Sequence, residues 1–320
     1  MEFIRKKFLL IILFAGILYL AFSVYTDFEQ LISSFRNFNF LLLPLILFLS
    51  LLNYLVRFYK WSYYLRLINI KLVLRDSVII FLSGFLMSIT PGKLGELFKS
   101  YLIKRIDGTP ISKTAPVVFA ERITDFLSLA FLALIGSFIF DYGLFISLLM
   151  TLFLLFIIIL ITNKKIFKLF LKFISGISFL RQRISKFNQL FESTELLLRI
   201  KPLSFAIIIS IFSWGFECLG YYLVITNFSK EITFLWAVFS YSFSTIVGAI
   251  SMLPGGLGIT EGSFLVMLNN FGLKLSDSTA ITFITRVSTL WFAVFIGMIS
   301  FMIYSYKFGK IDIKVDNSLE

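Results

Sequence analysis

Two short stretches hold the residue types that could do chemistry in this chain, MSITPGKLGE ending at Glu96 and SMLPGGLGITEG at 251–262. Each contains PGxLG and then a glutamate. Pro91, Gly92 and Gly95 precede Glu96, and Pro254, Gly255, Gly256 and Gly258 precede Glu261. An arginine follows each at nearly equal spacing: Pro91 lies 31 positions before Arg122, and Pro254 lies 32 before Arg286. Proline and glycine interrupt a helix, and where the helix restarts its free N–H groups carry partial positive charge and suit an anion. With Lys93, Arg122 and Arg286 close in sequence to these restarts, the expected ligand is a phosphate carried by a molecule that belongs in a membrane. The carboxylates then serve as partners for the arginines, either Glu96 with Arg122 and Glu261 with Arg286 or crosswise between the two stretches. On one helix Arg122 and Asp125 are three apart and can meet, while Glu121 and Asp125 are four apart and share a face.

Other chemistries fit less well. Glu96, Asp125 or Glu261 could act as acid or base on a lipid-linked substrate, but no catalytic signature surrounds them. The chain has no histidine and one cysteine, Cys218, which excludes histidine general-base chemistry, an intrachain disulfide and a Cys/His zinc site. No metal site and no cofactor are expected. GGLGITEG fails as a dinucleotide fingerprint, because the last glycine of GxGxxG would fall at Glu261 and no βαβ pattern surrounds it. A packing role, with Gly258 and Gly262 as a GxxxG contact, explains glycines but not four charged residues. Glu217, alone in WGFECLGYYL, is either a proton-sensitive pathway residue or a packed group bonded to a tyrosine.

The elements that must position these residues are membrane helices. Of 320 residues 58% are hydrophobic and 15% charged, with the apolar residues gathered in runs longer than a soluble core needs. Spans are expected at about 8 to 25, 40 to 58, 116 to 140, 143 to 162, 203 to 226 and 279 to 304. The basic opening could be a signal peptide, but no small-x-small cleavage site follows, which favours a retained first span. Between the spans, residues 77 to 106 and 234 to 273 each read as a short descent, a break and a return, that is, as re-entrant hairpins. The fold class is therefore all-α, with about six full spans and two broken hairpins.

The net charge of +12 lies in the connections, where it signals topology and lipid contact and not nucleic acid. Residues 164–201 hold nine Lys and Arg against Glu192 and Glu195, which puts this connection in the cytoplasm. The amino terminus, the tail and Arg57 to Arg75 are expected on the same side. The chain is one membrane domain: a first repeat half at 1–142, the start of the second at 143–162, a basic amphipathic connection at 163–202, the rest of the second half at 203–306 and a tail at 307–320. By this topology the two halves are inverted copies whose breaks meet near the midplane, a recurrent transporter plan.

PGKLGE at 91–96, AERITDFLSL at 120–129, LPGGLGITEGSF at 253–264 and TRVSTLW at 285–291 resemble the lysylphosphatidylglycerol synthase transmembrane-region family, also called the flippase-like domain family. The resemblance covers about Leu42 to Tyr304. It implies a polytopic protein that moves, or helps move, a lipid with a polar headgroup between leaflets. The multidomain synthases also carry a soluble aminoacyl-transfer domain, for which no room is expected after the last span, so aminoacyl transfer does not carry over. The resemblance leaves open a non-transporting partner of a glycosyltransferase or lipid synthase, docked through the 164–201 connection.

Overall fold

The computed structural model describes residues 26–90, 95–137 and 184–309, with isolated positions within 13–24 and 145–156. The expected spans at 8–25 and 143–162 lie mostly outside the described residues, as do Pro91, Gly92, Lys93, most of the basic connection and the tail beyond residue 309. All regular elements among the described residues are helical.

A short helix, α1 (Phe28–Asn37), begins at an Asp27 cap and is followed by one tight turn and α2 (Leu43–Leu67). The first broken segment is α3 (Leu74–Ser83), a tight turn at Gly84–Met87, and α4 (Phe98–Asp107). Next comes α5 (Ile111–Ser137). In the second half, α6 (Ile184–Leu197) leads into α7 (Ile200–Thr226), and α8 (Phe234–Ile250) breaks at Pro254–Gly256 before α9 (Ile259–Asn270). The chain then runs through α10 (Leu275–Arg286), a π-helical turn at Val287–Trp291 and α11 (Phe292–Phe308). Residues 40–67, 200–226 and 275–308 are long and apolar enough to cross a membrane. With 27 residues α5 is equally long, but it carries Glu121, Arg122 and Asp125.

The two breaks differ from ordinary helix ends in how their backbones are held. Gly255, Gly256 and Gly258 all have positive φ, at 62°, 66° and 86°, a region costly for residues with a Cβ. That explains why PGGLG, and not a generic polar loop, stands here. Across this break the Gly258 N–H donates to the Glu261 carboxylate at 2.8 Å. Across the first, the Gly95 N–H donates to the Thr90 hydroxyl at 2.8 Å.

α2 packs along α7, α5 against α7 and α8, and α11 against α3 and the Gly84–Met87 turn. This last contact is backbone-close, since a Cβ on Gly297 would stand 2.3 Å from the Leu86 nitrogen. Two apolar cores result, one around Trp61, Phe81 and Leu102 and another around Trp214, Tyr221 and Phe264. A third, small cluster of Leu86, Ile89, Leu257, Leu290 and Val294 joins the two breaks. There a Cβ on Gly255 would lie 3.6 Å from the Ile89 Cα. The breaks thus meet inside the bundle.

Candidate functional site

The first break brings Glu96 beneath α5. Arg122 sits between two carboxylates, its Nη2 3.2 Å from Glu96 Oε2 and 3.0 Å from Asp125 Oδ2. Glu121, on the same helix, is taken by Lys99, whose Nζ lies 2.6 Å from its Oε2 and 3.5 Å from Glu96. Lys99 reaches this position by running over Gly84, where a Cβ would stand 2.6 Å from the lysine Cγ, and its ammonium faces the Trp61 ring at 4.6 Å.

Two cations of this cluster come from a place the sequence reading assigned to a cytoplasmic connection. Arg57 and Lys60 lie inside α2, which continues to Leu67 and not to about 58. Lys60 is 0% exposed and donates to Asp125 Oδ1 at 2.6 Å and to the Ser210 hydroxyl at 2.6 Å. Arg57 is buried between the Phe85 and Trp214 rings, with Nη2 3.9 Å from Asp125. The physical reason is a helical stripe: Asn53, Arg57, Lys60 and Tyr64 are spaced four, three and four apart, and all are buried. Lys99, a further buried cation that no motif marks, lies in α4. A buried charge in an apolar medium requires partners; Lys60, Lys99 and Arg122 each lie within 3.2 Å of a carboxylate of this cluster, whereas Arg57 comes only to 3.9 Å from Asp125 and its Nε and Nη2 make no hydrogen bond among the described residues.

The second break has a smaller arrangement. Arg286 Nε donates to Glu261 Oε1 at 2.6 Å, and its Nη2 donates to the Gly255 carbonyl at 2.7 Å. Glu261 is fully buried and caps the start of α9 while holding the arginine. The sequence expectation of a bare helix start offering N–H groups to an anion is therefore modified here: the Gly258 N–H is engaged by the protein's own carboxylate. Of the two pairings left open, both carboxylates contact the arginine of their own half.

Between the breaks lies a cleft of about 70 Å³, lined by Thr90, Arg122, Asp125, Gly255, Gly256 and Arg286, with Trp214 on one wall. On its wall the backbone at Gly256 passes close to Gly248, since a Cβ on Gly256 would stand 3.2 Å from the Gly248 carbonyl and 2.6 Å from the Thr260 hydroxyl. Glu217 does not line it; this carboxylate accepts a bond from the Tyr241 hydroxyl. The π-helical turn directly after Arg286 has no sequence signature, yet its carbonyls serve as acceptors: Ser50 donates to Ser288 O at 2.8 Å and Tyr54 to Thr289 O at 3.3 Å. Such turns are frequent at functional sites.

The chain is similar to known membrane proteins. The chain is 27% identical over 230 residues to a UPF0104 membrane protein of Methanocaldococcus jannaschii, covering 68% of this chain and 94% of that one. It is 28% identical over 328 residues to a UPF0104 membrane protein of Pyrococcus horikoshii, covering 91% and 95%. The model of the lysylphosphatidylglycerol synthase TM region matches residues 8–297, which include both broken segments and both carboxylate–arginine pairs. The chain therefore belongs to the lysylphosphatidylglycerol synthase TM region family of membrane proteins.

Proposed function

We propose that this protein handles a lipid with a phosphate-containing headgroup, a phospholipid or a polyprenyl-linked lipid, and moves it between leaflets. The observation that carries this reading is the cleft where the two breaks meet, with Arg122 from one half and Arg286 from the other on its walls. At about 70 Å³ it has room for a few waters or a phosphate-sized group, while the chains of the lipid stay outside. A phosphate entering it competes with Glu96 and Asp125 for Arg122, a residue whose side chain keeps 13% exposure in an otherwise buried cluster.

Both broken segments are read as re-entrant hairpins. Their return limbs, α4 with 10 residues and α9 with 12, are about 15 and 18 Å long, too short for a hydrocarbon core of about 30 Å. The shared order of break, carboxylate and arginine supports an inverted repeat, with the site opening alternately to either leaflet and both termini in the cytoplasm. No nucleotide-binding motif is present in the sequence, so movement is facilitated or ion-coupled, and no chemical step is assigned to the carboxylates.

The test is leaflet exchange of fluorescent lipids in proteoliposomes, comparing anionic phospholipids, aminoacylated phospholipids and polyprenyl phosphates. Exchange by the wild-type protein that falls at least about tenfold, or ~1.4 kcal/mol in barrier, in Arg122→Gln and Arg286→Gln supports the proposal. Absence of exchange for every lipid with folded protein would refute it.

A further inference from the structure

A second, larger cavity lies away from the two breaks, at the end of α2. It measures about 540 Å³ and is bounded by α2 from Leu55 to Arg66 and by the segment 70–77. It exists because α2 ends at Leu67, Asn69 turns the chain at a φ of 57°, and residues 70–73 follow without regular structure before α3 begins. The helices diverge and leave a groove on the outside of the bundle.

The groove has a polarity gradient. Leu55, Phe58 or Tyr59, Ser62 and Arg66 recur at three- and four-residue steps, so they share one face of α2. The first three are apolar or aromatic, Ser62 is polar and Arg66 is cationic. From the segment after α2, Lys71 supplies a second exposed cation to the lining, while Leu72 and Leu74 add apolar surface. From Leu55 to Arg66 this gradient extends about 16 Å along the helix. Neither cation is in an ion pair among the described residues, and Arg66 only turns back on its own helix, from Nε to the Ser62 carbonyl at 3.3 Å.

The end of the bundle on which the groove opens is also defined. Tyr59 and Tyr63 pack on Phe205, near the start of α7, directly after the basic connection. Under the positive-inside rule this is the side facing anionic cytoplasmic lipid.

We propose that this groove is a binding site for one anionic phospholipid. An acyl chain lies along Leu55, Phe58 and Tyr59, and the phosphate is held by Arg66 and Lys71. The charge of the rim and the direction of the gradient both match an amphiphile entering from that leaflet, whereas a zwitterionic lipid would bring a choline or ethanolamine cation against the same two residues. This site shares no lining residue with the central cleft, and it rests on the membrane setting of the chain and not on the transport reading.

Native mass spectrometry of delipidated protein, titrated with phosphatidylglycerol or phosphatidylcholine in detergent, tests the proposal. The wild type should retain one phosphatidylglycerol in preference to phosphatidylcholine. Arg66→Gln with Lys71→Gln should weaken that retention about 30-fold, from the loss of two attractive charges near the lipid surface. Ser62→Phe should weaken lipid retention with both charges in place, because it narrows the groove between its apolar end and the two cations. Lys230→Gln with Lys274→Gln, two exposed charges outside the groove, should leave it unchanged. Retention unaltered by both groove variants, or an equal loss in the Lys230 and Lys274 control, would overturn the assignment.

Discussion

The two broken segments share an order of residues but hold their charges differently. At the first, Arg122 is shared by Glu96 and Asp125, and each of those carboxylates has a second cation, Lys99 for Glu96 and Lys60 for Asp125. At the second, Arg286 is held by Glu261 and by the Gly255 carbonyl, and Glu261 simultaneously caps α9. One half distributes its charge over a network with redundancy. The other concentrates pairing and backbone support in one carboxylate. Nearly equal spacing in sequence therefore does not imply equal tolerance to substitution.

Thermal unfolding in detergent separates the two designs. Arg286→Met should give the largest effect, a loss of about 3–5 kcal/mol, the range for breaking a buried pair by removing one partner. It removes the guanidinium from Glu261 and the donor from Gly255 together. Arg122→Met should cost less, about 1–3 kcal/mol, because Lys99 and Lys60 remain beside the carboxylates it leaves. An Arg122→Met loss as large as that of Arg286→Met would break the comparison.

Backbone substitutions sharpen it further. Gly255→Ala should lower stability by about 1–2 kcal/mol, the cost of a side chain in the left-handed region. Its φ is 62°, and its neighbours, Leu290 Cδ2 at 3.2 Å and Ile89 Cα at 3.6 Å, leave little room to relax. Thr90→Val should have the smallest effect, about 1 kcal/mol, since it removes one neutral hydroxyl, the acceptor for the Gly95 N–H and a donor to the Met87 carbonyl, which keeps the Thr90 N–H. A Thr90→Val loss exceeding that of Gly255→Ala would show that the first break, and not the second, is the more constrained.

Much of this was legible in the sequence, for physical reasons. Two breaks stood out because proline and glycine in apolar runs are expensive, and Glu96, Arg122, Glu261 and Arg286 stood out because charge in such runs requires a partner. Arg57 and Lys60 were hidden, because cations near the end of an apolar run look the same whether they mark the membrane surface or turn inward. The stripe Asn53, Arg57, Lys60, Tyr64 was the available signal, as a helix face polar over three turns has to point at something polar. The π-helical turn at Val287–Trp291 was not legible, since VSTLW has no residue that requires it. Nor did spacing reveal that Glu261 occupies the helix start that would otherwise be offered to a ligand.

The most direct test of headgroup passage between the two breaks is to fasten them together. In a Cys218→Ser background, Ile89→Cys with Gly255→Cys places two thiols where a Cβ on residue 255 would lie 3.6 Å from the Ile89 Cα, close enough for a disulfide. Lipid exchange in proteoliposomes is then measured before and after oxidation. Exchange that stops on oxidation and returns on reduction is the predicted result. Exchange that continues at the same rate with the two breaks fastened would contradict passage between them.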